Sequence, residues 1–225
     1  QGPINVANGY EIQITDANAV ELGDIASSRY FYIVALGGAV TQTETSAITD
    51  GSAIMKIQAG SYDITLKNEN NVIKNFTNWI GKDIEVVSNR AVQIGFTLWD
   101  AITASGDFKL TARGAVTDQA AADPFVSHDI TIAGLTTIKA QSADGNTDYD
   151  ITLDLAGHDF STISVTGANV ALVDENAIAL GASTVSGTYA VTATAGGDIT
   201  DSGVLAITGA ATFTAAGGQS ITLDS

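Results

Sequence analysis

"ANVALVDENAIALGAS", residues 168–183, has a pattern that the chain contains twice more, as "YEIQITDANAVELGDI" at 10–25 and "KDIEVVSNRAVQIGFT" at 82–97. Each copy has two alternating apolar positions, a polar turn, an alanine, two more alternating apolar positions and a glycine. Alternation of apolar and polar residues is typical of half-buried β-strands. The pattern, called the skeleton below, therefore predicts a strand, a turn and a second strand.

The skeleton divides the 225 residues into three similar units. Its final glycine recurs at Gly23, Gly95 and Gly181. The middle unit is the longest, and we expect its extra residues within 118–150. We predict one domain over 1–225 that consists of three tandem repeats, at approximately 1–70, 71–155 and 156–225. An Ile-Thr-Leu element closes the units at 64–66, 151–153 and 221–223.

A shorter period of about 22 residues lies inside the third unit. Apolar residues recur at this spacing in three interleaved series, which implies three short strands in every turn of the chain. In the first unit we expect Ile33 to stack on Ile12 and Val40 on Val20. The three series are Ile163, Val185 and Ile207; Val170, Val191 and Phe213; and Ile178, Ile199 and Ile221.

No single turn of this size can bury its own apolar side, whereas stacked turns bury a continuous core. The sequence therefore predicts an all-β fold, a right-handed parallel β-helix of triangular cross-section. Glycine and asparagine at the corners are expected to supply positive φ. A β-sandwich would need more hairpin signals than Asn8-Gly9. A propeller would need blades of about 40–45 residues.

Composition excludes several classes of function. The chain has 9 Lys and Arg against 25 Asp and Glu, for a net charge of −16, and no basic residue follows Lys139. Such a surface repels phosphate groups, so we expect no nucleic-acid partner. No apolar run reaches the roughly 20 residues of a membrane helix, and we expect no membrane insertion. With no cysteine, disulfides and thiolate metal sites are excluded.

The third unit resembles the repeat region of filamentous-haemagglutinin-type bacterial adhesins. The resemblance is strongest in "ALGASTVSG" (179–187), "GGDITDSG" (196–203) and "SITLDS" (220–225). It implies a β-helical shaft, an extracellular or cell-surface location, and a role in adhesion or matrix building. The first two units share only the skeleton with it.

"DGNTDYD" at 144–150 is a candidate calcium loop. Asp144, Asn146, Asp148 and Asp150 place oxygen ligands at alternate positions, as in the first half of a calcium-binding loop. The glycine and the final glutamate of such loops are missing. A plain polar loop is the alternative, and apart from this calcium ion we expect no cofactor.

The skeleton turns and several carboxylates are candidate functional groups. Asp16, Ser88 and Asp174 occupy equivalent turns, which turn chemistry alone explains. Carbohydrate-cleaving β-helices need clustered carboxylates, and the sequence offers Asp148 with Asp150, Asp198 with Asp201, and a histidine beside Asp129 and another beside Asp159. Such enzymes also need Lys or Arg for acid/base work or to anchor the substrate, and the last unit has neither. We therefore do not expect an enzyme. The two histidines are His128 and His158.

The two tryptophans and one glycosylation sequon complete the candidates. Trp79 and Trp99 either stack on sugars from an exposed face or, as we expect, take a half-buried lateral or core-filling position. Asn75-Phe76-Thr77 is a formal N-glycosylation sequon.

The sequence thus predicts a structural protein, a shaft segment or subunit of a bacterial extracellular fibre. No capping segment is visible at the first or last turn, so we expect either a longer shaft or head-to-tail stacking of copies into filaments. Glycans are further possible partners. The alternative is a carbohydrate-binding or carbohydrate-cleaving β-helix.

Overall fold

The computed structural model describes residues 2–50, 54–95, 102–119 and 128–225, and these residues form strands and no helix. The predicted all-β class is confirmed. The strands are β1 (Ile4–Asp16), β2 (Val20–Ala35), β3 (Val40–Gln42), β4 (Ile48–Asp50), β5 (Ile54–Gln58), β6 (Ile64–Leu66), β7 (Asn75–Phe76), β8 (Trp79–Gly81), β9 (Ile84–Ser88), β10 (Val92–Ile94), β11 (Ile102–Ala104), β12 (Phe108–Ala112), β13 (Val116–Asp118), β14 (Ile130–Ala140), β15 (Ile151–Leu153), β16 (Asp159–Gly167), β17 (Val170–Asp174), β18 (Ile178–Leu180), β19 (Ser183–Val185), β20 (Tyr189–Ala193), β21 (Ile199–Asp201), β22 (Leu205–Ile207), β23 (Ala211–Ala215) and β24 (Ile221–Thr222).

The strands stack in parallel to form a β-solenoid of about nine turns with three faces. Face I contains β3, β6, β9 and β12, and face II is a seven-stranded sheet from β7 to β23. Face III contains β5, β8 and β11. The longer strands β1, β2, β14 and β16 continue around corners and join faces I and III into one sheet. The predicted parallel β-helix with about 22 residues per turn is thereby confirmed.

Strand pairing confirms some of the expected stacks and corrects others. As expected, Ile199 pairs with Ile178 on one side and with Ile221 on the other. Val185 also pairs with Ile207 as expected. The stack expected for Val170 is wrong at its first step, because Val170 pairs with Tyr189.

Two further expected pairs are also displaced. Ile33 pairs with Ile14 instead of Ile12. Ile163 pairs with Leu180 instead of Val185. The reason is that turn length varies with the corner that precedes each strand, so a fixed period misplaces the register by one or two side-chain pairs.

Inward residues of all three faces form one apolar core. The skeleton residues Leu172 and Leu180 are buried in it, as the sequence predicted. The largest fully buried side chains include Trp79, Tyr189, Phe31, Phe76, Phe108 and Phe160.

The three skeleton copies lie at three different corners. In the first copy the corner follows face III, in the second it follows face I, and in the third it follows face II. The second strand of one copy therefore shares a ladder with the first strand of the next, three turns later. The two ladders are Val20–Val40–Ile64–Ile84 and Val92–Val116–Ile151–Val170. One repeat consequently equals three turns plus one face.

The skeleton glycine is required by close packing of neighbouring turns. A Cβ at Gly181 would lie 2.2 Å from Ser164 Oγ, and one at Gly95 would lie 2.5 Å from the Cβ of His128. Only Gly95 of the three skeleton glycines has a positive φ, at 75°. The expectation that skeleton glycines serve positive φ therefore holds for one copy of three.

The middle unit contains a long turn at the expected place. Val116 pairs with Ile151 on the next turn of face II, and the described part of the intervening segment includes a small antiparallel bridge between Gln141 and Asp148. None of the described segments is a helix of the length and apolarity that a membrane crossing requires.

Candidate functional site

The polar residue of the skeleton turn differs in burial among the three copies. Ser88 and Asp174 are fully buried, whereas Asp16 is partly exposed. Ser88 Oγ accepts the N–H of Ile73 at 3.1 Å and donates to its carbonyl at 2.7 Å. The three turns lie on different corners, so they do not form a common polar surface.

Asp174 accepts two backbone hydrogen bonds inside the solenoid. Its Oδ2 accepts the N–H of Phe160 at 2.7 Å, and its Oδ1 accepts that of Asn176 at 2.8 Å. Burial raises the pKa of Asp174 to about 6, because the desolvation outweighs these two hydrogen bonds and the negative Asp159 and Glu175 lie nearby. The carboxyl is thus a structural group that titrates near neutral pH.

The carboxylates of the candidate calcium loop accept hydrogen bonds from neighbouring residues. Asp144 accepts hydrogen bonds from Ser142 and Asn146, which lower its pKa to about 2. Asp148 accepts one from Gln141. Across the described ranges, no three His, Cys, Asp or Glu side chains come together in an arrangement that could hold a metal ion.

Asp150 lies apart from the other three loop residues in its bonding. Its Oδ1 accepts the backbone N–H and the side-chain amide of Asn169, both at 3.0 Å, and Asn169 belongs to the next turn. Calcium binding by Asp144, Asn146, Asp148 and Asp150 stays a prediction.

Asp198 and Asp201, a candidate catalytic pair, accept hydrogen bonds from the backbone of the following turn. Asp198 Oδ1 accepts the N–H of Ser220 at 2.8 Å, and Asp201 accepts those of Asp224 and Ser225 at 3.0 and 3.1 Å. These bonds fasten successive corners together along the axis.

His158 pairs with an aspartate that sequence adjacency did not indicate. Its Nε2 lies 2.8 Å from Asp118 Oδ2, and both side chains are buried. Its Nδ1 accepts the N–H of Ile130 at 3.0 Å, so Nε2 carries the proton and donates to Asp118. The adjacent Asp159 instead accepts a hydrogen bond from Asn176. Forty residues separate Asp118 from His158, and no sequence pattern links them.

His128 also lies inside the solenoid wall. It is 5% exposed, and its Nδ1 lies 2.6 Å from the carbonyl oxygen of Gln119. Both histidine side chains are therefore buried and lie within hydrogen-bonding distance of backbone groups of the solenoid.

Trp79 fills the core, as expected. It is fully buried, its ring lies 4.5 Å from that of Phe76, and its Nε1 donates to the Met55 carbonyl at 2.8 Å. Trp99 lies outside the described residues. Asn75 and Thr77 of the sequon are also buried, so the folded chain does not offer this sequon to a glycosylating enzyme.

A groove of about 420 Å³ runs along the outer side of face I. One wall is a ladder of Asp63, Asp83 and Asp107, in which each Oδ1 accepts the backbone N–H of the next turn. On the other wall Glu85 bridges Lys67 at 3.4 Å and Lys109 at 2.8 Å, and these lysines lower its pKa. The polar groups of this groove largely satisfy one another.

A second polar surface lies on face III of the first turns. Arg29 stands between the rings of Tyr10 and Tyr30, with its Cζ 5.2 and 4.6 Å from the two ring centroids. Tyr30 stacks with Tyr32 at a centroid distance of 5.9 Å. We call these four residues the tyrosine platform; the sequence analysis did not identify it.

A model of repeats of unknown function, DUF5649, matches three segments of this chain, at residues 9–78, 82–166 and 167–225. The chain belongs to the DUF5649 family. No curated protein and no solved structure matches it.

The three DUF5649 segments each contain one skeleton corner. From the first segment to the second, and from the second to the third, the corner advances by three turns and one face. With about 4.8 Å between stacked strands, one repeat rises on the order of 16 Å and rotates its corner to the next face.

Proposed function

We propose that this DUF5649 chain is a non-enzymatic shaft segment or subunit of a bacterial extracellular fibre or adhesin. The observation that supports the proposal is the seven-stranded ladder of face II, which passes from β7 to β23 without a change of strand direction. Nine turns at about 4.8 Å each give a rod on the order of 45 Å long. A stack of this type resists bending because every turn is hydrogen-bonded to its neighbours.

Hydrogen bonds between corners reinforce the same axis. Aspartate and asparagine side chains accept the backbone N–H of the following turn at several corners, which places an acceptor beside a donor that would otherwise face solvent. Examples are Asn5 to Asp24, Asp24 to Ala47, Asp83 to Asp107, and Asn169 to Thr188.

We propose that a further turn of the same type packs on the strand edge at β24. Ile221 is 44% exposed and Leu223 37%, whereas Ile199, one turn earlier on the same ladder, is fully buried. The strand edge there also has unpaired backbone groups. Another turn, from a second copy or from more of the same chain, would cover these two side chains and pair with the strand edge. Contact between copies would be heterologous and open, which generates filaments.

The extracellular location and the role in adhesion rest on the resemblance of 165–225 to filamentous-haemagglutinin-type repeats. The surface composition is compatible with that role, because residues 140–225 contain ten acidic and no basic residues. Such a surface stays soluble and avoids anionic polymers.

Electron microscopy of the purified protein tests the proposal. We expect fibres whose axial repeat is close to the length of one chain, about 45 Å from the turn count. Ile221→Lys should shorten or abolish them, because it places a charge on the apolar edge. Leu36→Lys is the matched control, since Leu36 is 67% exposed and lies far from that edge. Dispersed short rods that release reducing sugar from a polysaccharide would contradict the proposal.

A further inference from the structure

The tyrosine platform is a preorganised aromatic surface. Arg29 Nη1 donates to the Tyr10 hydroxyl at 2.6 Å, and this bond raises the pKa of Arg29. The guanidinium also contacts the ring of Tyr30, which in turn stacks on Tyr32. Cation–π and ring-stacking contacts of this kind hold the side chains in place before any ligand arrives.

Strand register places further polar side chains beside the platform. Glu11 pairs with Tyr30, and Gln13 pairs with Tyr32, which pairs with Lys56 on the next turn. Gln13 Nε2 donates to Glu11 Oε1 at 2.6 Å. Three turns of face III thus present aromatic rings, an amide, a carboxylate and an amine side by side.

A shallow cavity of about 200 Å³ opens at the edge of the rings. This volume is smaller than the roughly 300–1,000 Å³ of sites that enclose a drug-sized ligand. Its lining comes from three successive turns, β1, β2 and β5, so its residues follow one another along the stack, which suits an extended chain better than a compact ligand. The lining residues are Gln13, Ile14, Thr15, Tyr32, Val34 and Lys56.

The fold does not require these aromatic residues. Inward positions of the same strand, Phe31 and Ile33, provide the buried core contacts. On the next turn the positions that pair with Tyr30 and Tyr32 hold Ile54 and Lys56, neither of which is aromatic. Tyrosine at the outward positions of the first turns therefore calls for an explanation other than stability.

We propose that the tyrosine platform binds a neutral, extended polysaccharide. Arg29 and Tyr32 both contact the ring of Tyr30, so the C–H face of a pyranose ring would stack on Tyr32, which lines the cavity. Gln13, Glu11 and Arg29 offer hydrogen bonds to the hydroxyl groups. A neutral glycan is favoured over an acidic one because the chain has a net charge of −16 and Glu11 lies within the surface. The site goes beyond the shaft role, and its test does not depend on fibre formation.

Calorimetric titration with neutral hexasaccharides tests the site, using β-1,4-linked glucose, xylose and mannose as three separate probes. We expect at least one probe to bind the full chain. The double variant Tyr30→Thr/Tyr32→Thr should weaken that binding at least tenfold, since it removes the stacked rings. Threonine is a strong strand former, so the variant should keep the fold; circular dichroism verifies this.

Tyr62→Thr is the matched control, because Tyr62 is 43% exposed and lies outside the platform. Its affinity should equal that of the unchanged chain. The proposal is overturned if none of the three neutral probes binds, or if the double variant binds as tightly as the unchanged chain. Tighter binding of an oligogalacturonate than of every neutral probe would also overturn it. Fibres seen by microscopy leave all these outcomes unaffected.

Discussion

The corners after β9 and after β17 occupy the same place in consecutive repeats, yet one contains Ser88 and the other Asp174. Both side chains are fully buried, and both bond to the backbone of the preceding turn, at Ile73 and Phe160 respectively. The position therefore requires a short side chain that accepts an N–H from within the solenoid. Its charge is free to vary, and the aspartate adds a desolvation cost that the serine avoids.

The largest effect is expected where the two corners are alike. Ile94 and Leu180 are matched inward residues, each fully buried. Replacing either with alanine should lower the free energy of unfolding by about 2–5 kcal/mol, because each change leaves a cavity in the core. Urea unfolding measures this. Thr184→Ala, an exposed neighbour, should stay within about 0.5 kcal/mol; a similarly small effect at Ile94 or Leu180 would contradict the common core.

The corners should differ when their polar side chains are removed. Asp174→Ala leaves the N–H groups of Phe160 and Asn176 without an acceptor, and we expect a loss of about 2–4 kcal/mol at pH 5. Ser88→Ala leaves only one N–H group, that of Ile73, without an acceptor. It should lower the free energy of unfolding by about 1–2 kcal/mol. Thermal unfolding of both variants provides the comparison. Equal losses would show that the second donor at Asp174 contributes nothing.

The pH dependence of stability should separate the corners further. The pKa of Asp174 in the folded chain is about 6, above its unfolded value near 4. Its contribution is therefore fully present below about pH 4 and is lost as pH rises through 6. Relative to Asp174→Ser, which mimics the other corner, the unchanged chain should lose about 2–3 kcal/mol between pH 4 and pH 7.

The difference between these two proteins cancels the titration of the remaining carboxylates, including those whose pKa is lowered, such as Asp83 and Glu85. Urea unfolding at several pH values gives the two curves. Parallel curves would show that Asp174 is not desolvated as the structure places it.

The smallest effect is expected at the first skeleton corner. Asp16 is partly exposed, and its Oδ1 accepts the backbone N–H of Asn18 at 2.8 Å and the side-chain amide of Asn18 at 3.4 Å. Asp16→Ala should change the free energy of unfolding by no more than about 0.5 kcal/mol, because water replaces the lost partner. A loss comparable to that of Asp174→Ala would mean that the first corner is also closed to solvent.

Sequence reasoning succeeded where a property depends on local alternation. The strands, their parallel stacking and the inward direction of Leu172 and Leu180 follow from apolar residues at every second position. It failed where corner length decides the outcome. Ile163, for example, pairs with Leu180 because the turn between them is shorter than the average period.

The polar sites were less accessible to sequence reasoning. Asp118 and His158 are brought together by an intervening turn of unusual length, and burial of Asn75 closes a sequon that looks open in the sequence. The tyrosine platform was equally hidden, because Tyr10 and Arg29 become neighbours through stacking of consecutive turns. Tyrosine at the alternate positions 30 and 32 is the sequence signal that points to it.

The sequence alone determined that this chain is a solenoid of repeats, since no turn of about 22 residues can bury its apolar side without a neighbour. Only the tertiary structure decided how the repeats are oriented. The first two DUF5649 repeats each advance by three turns and one face, so the second strand of one copy and the first of the next lie in one ladder, as Val20 and Ile84 do. The physical reason is that stacking matches strands by register along the axis, and that register depends on the summed lengths of the intervening corners.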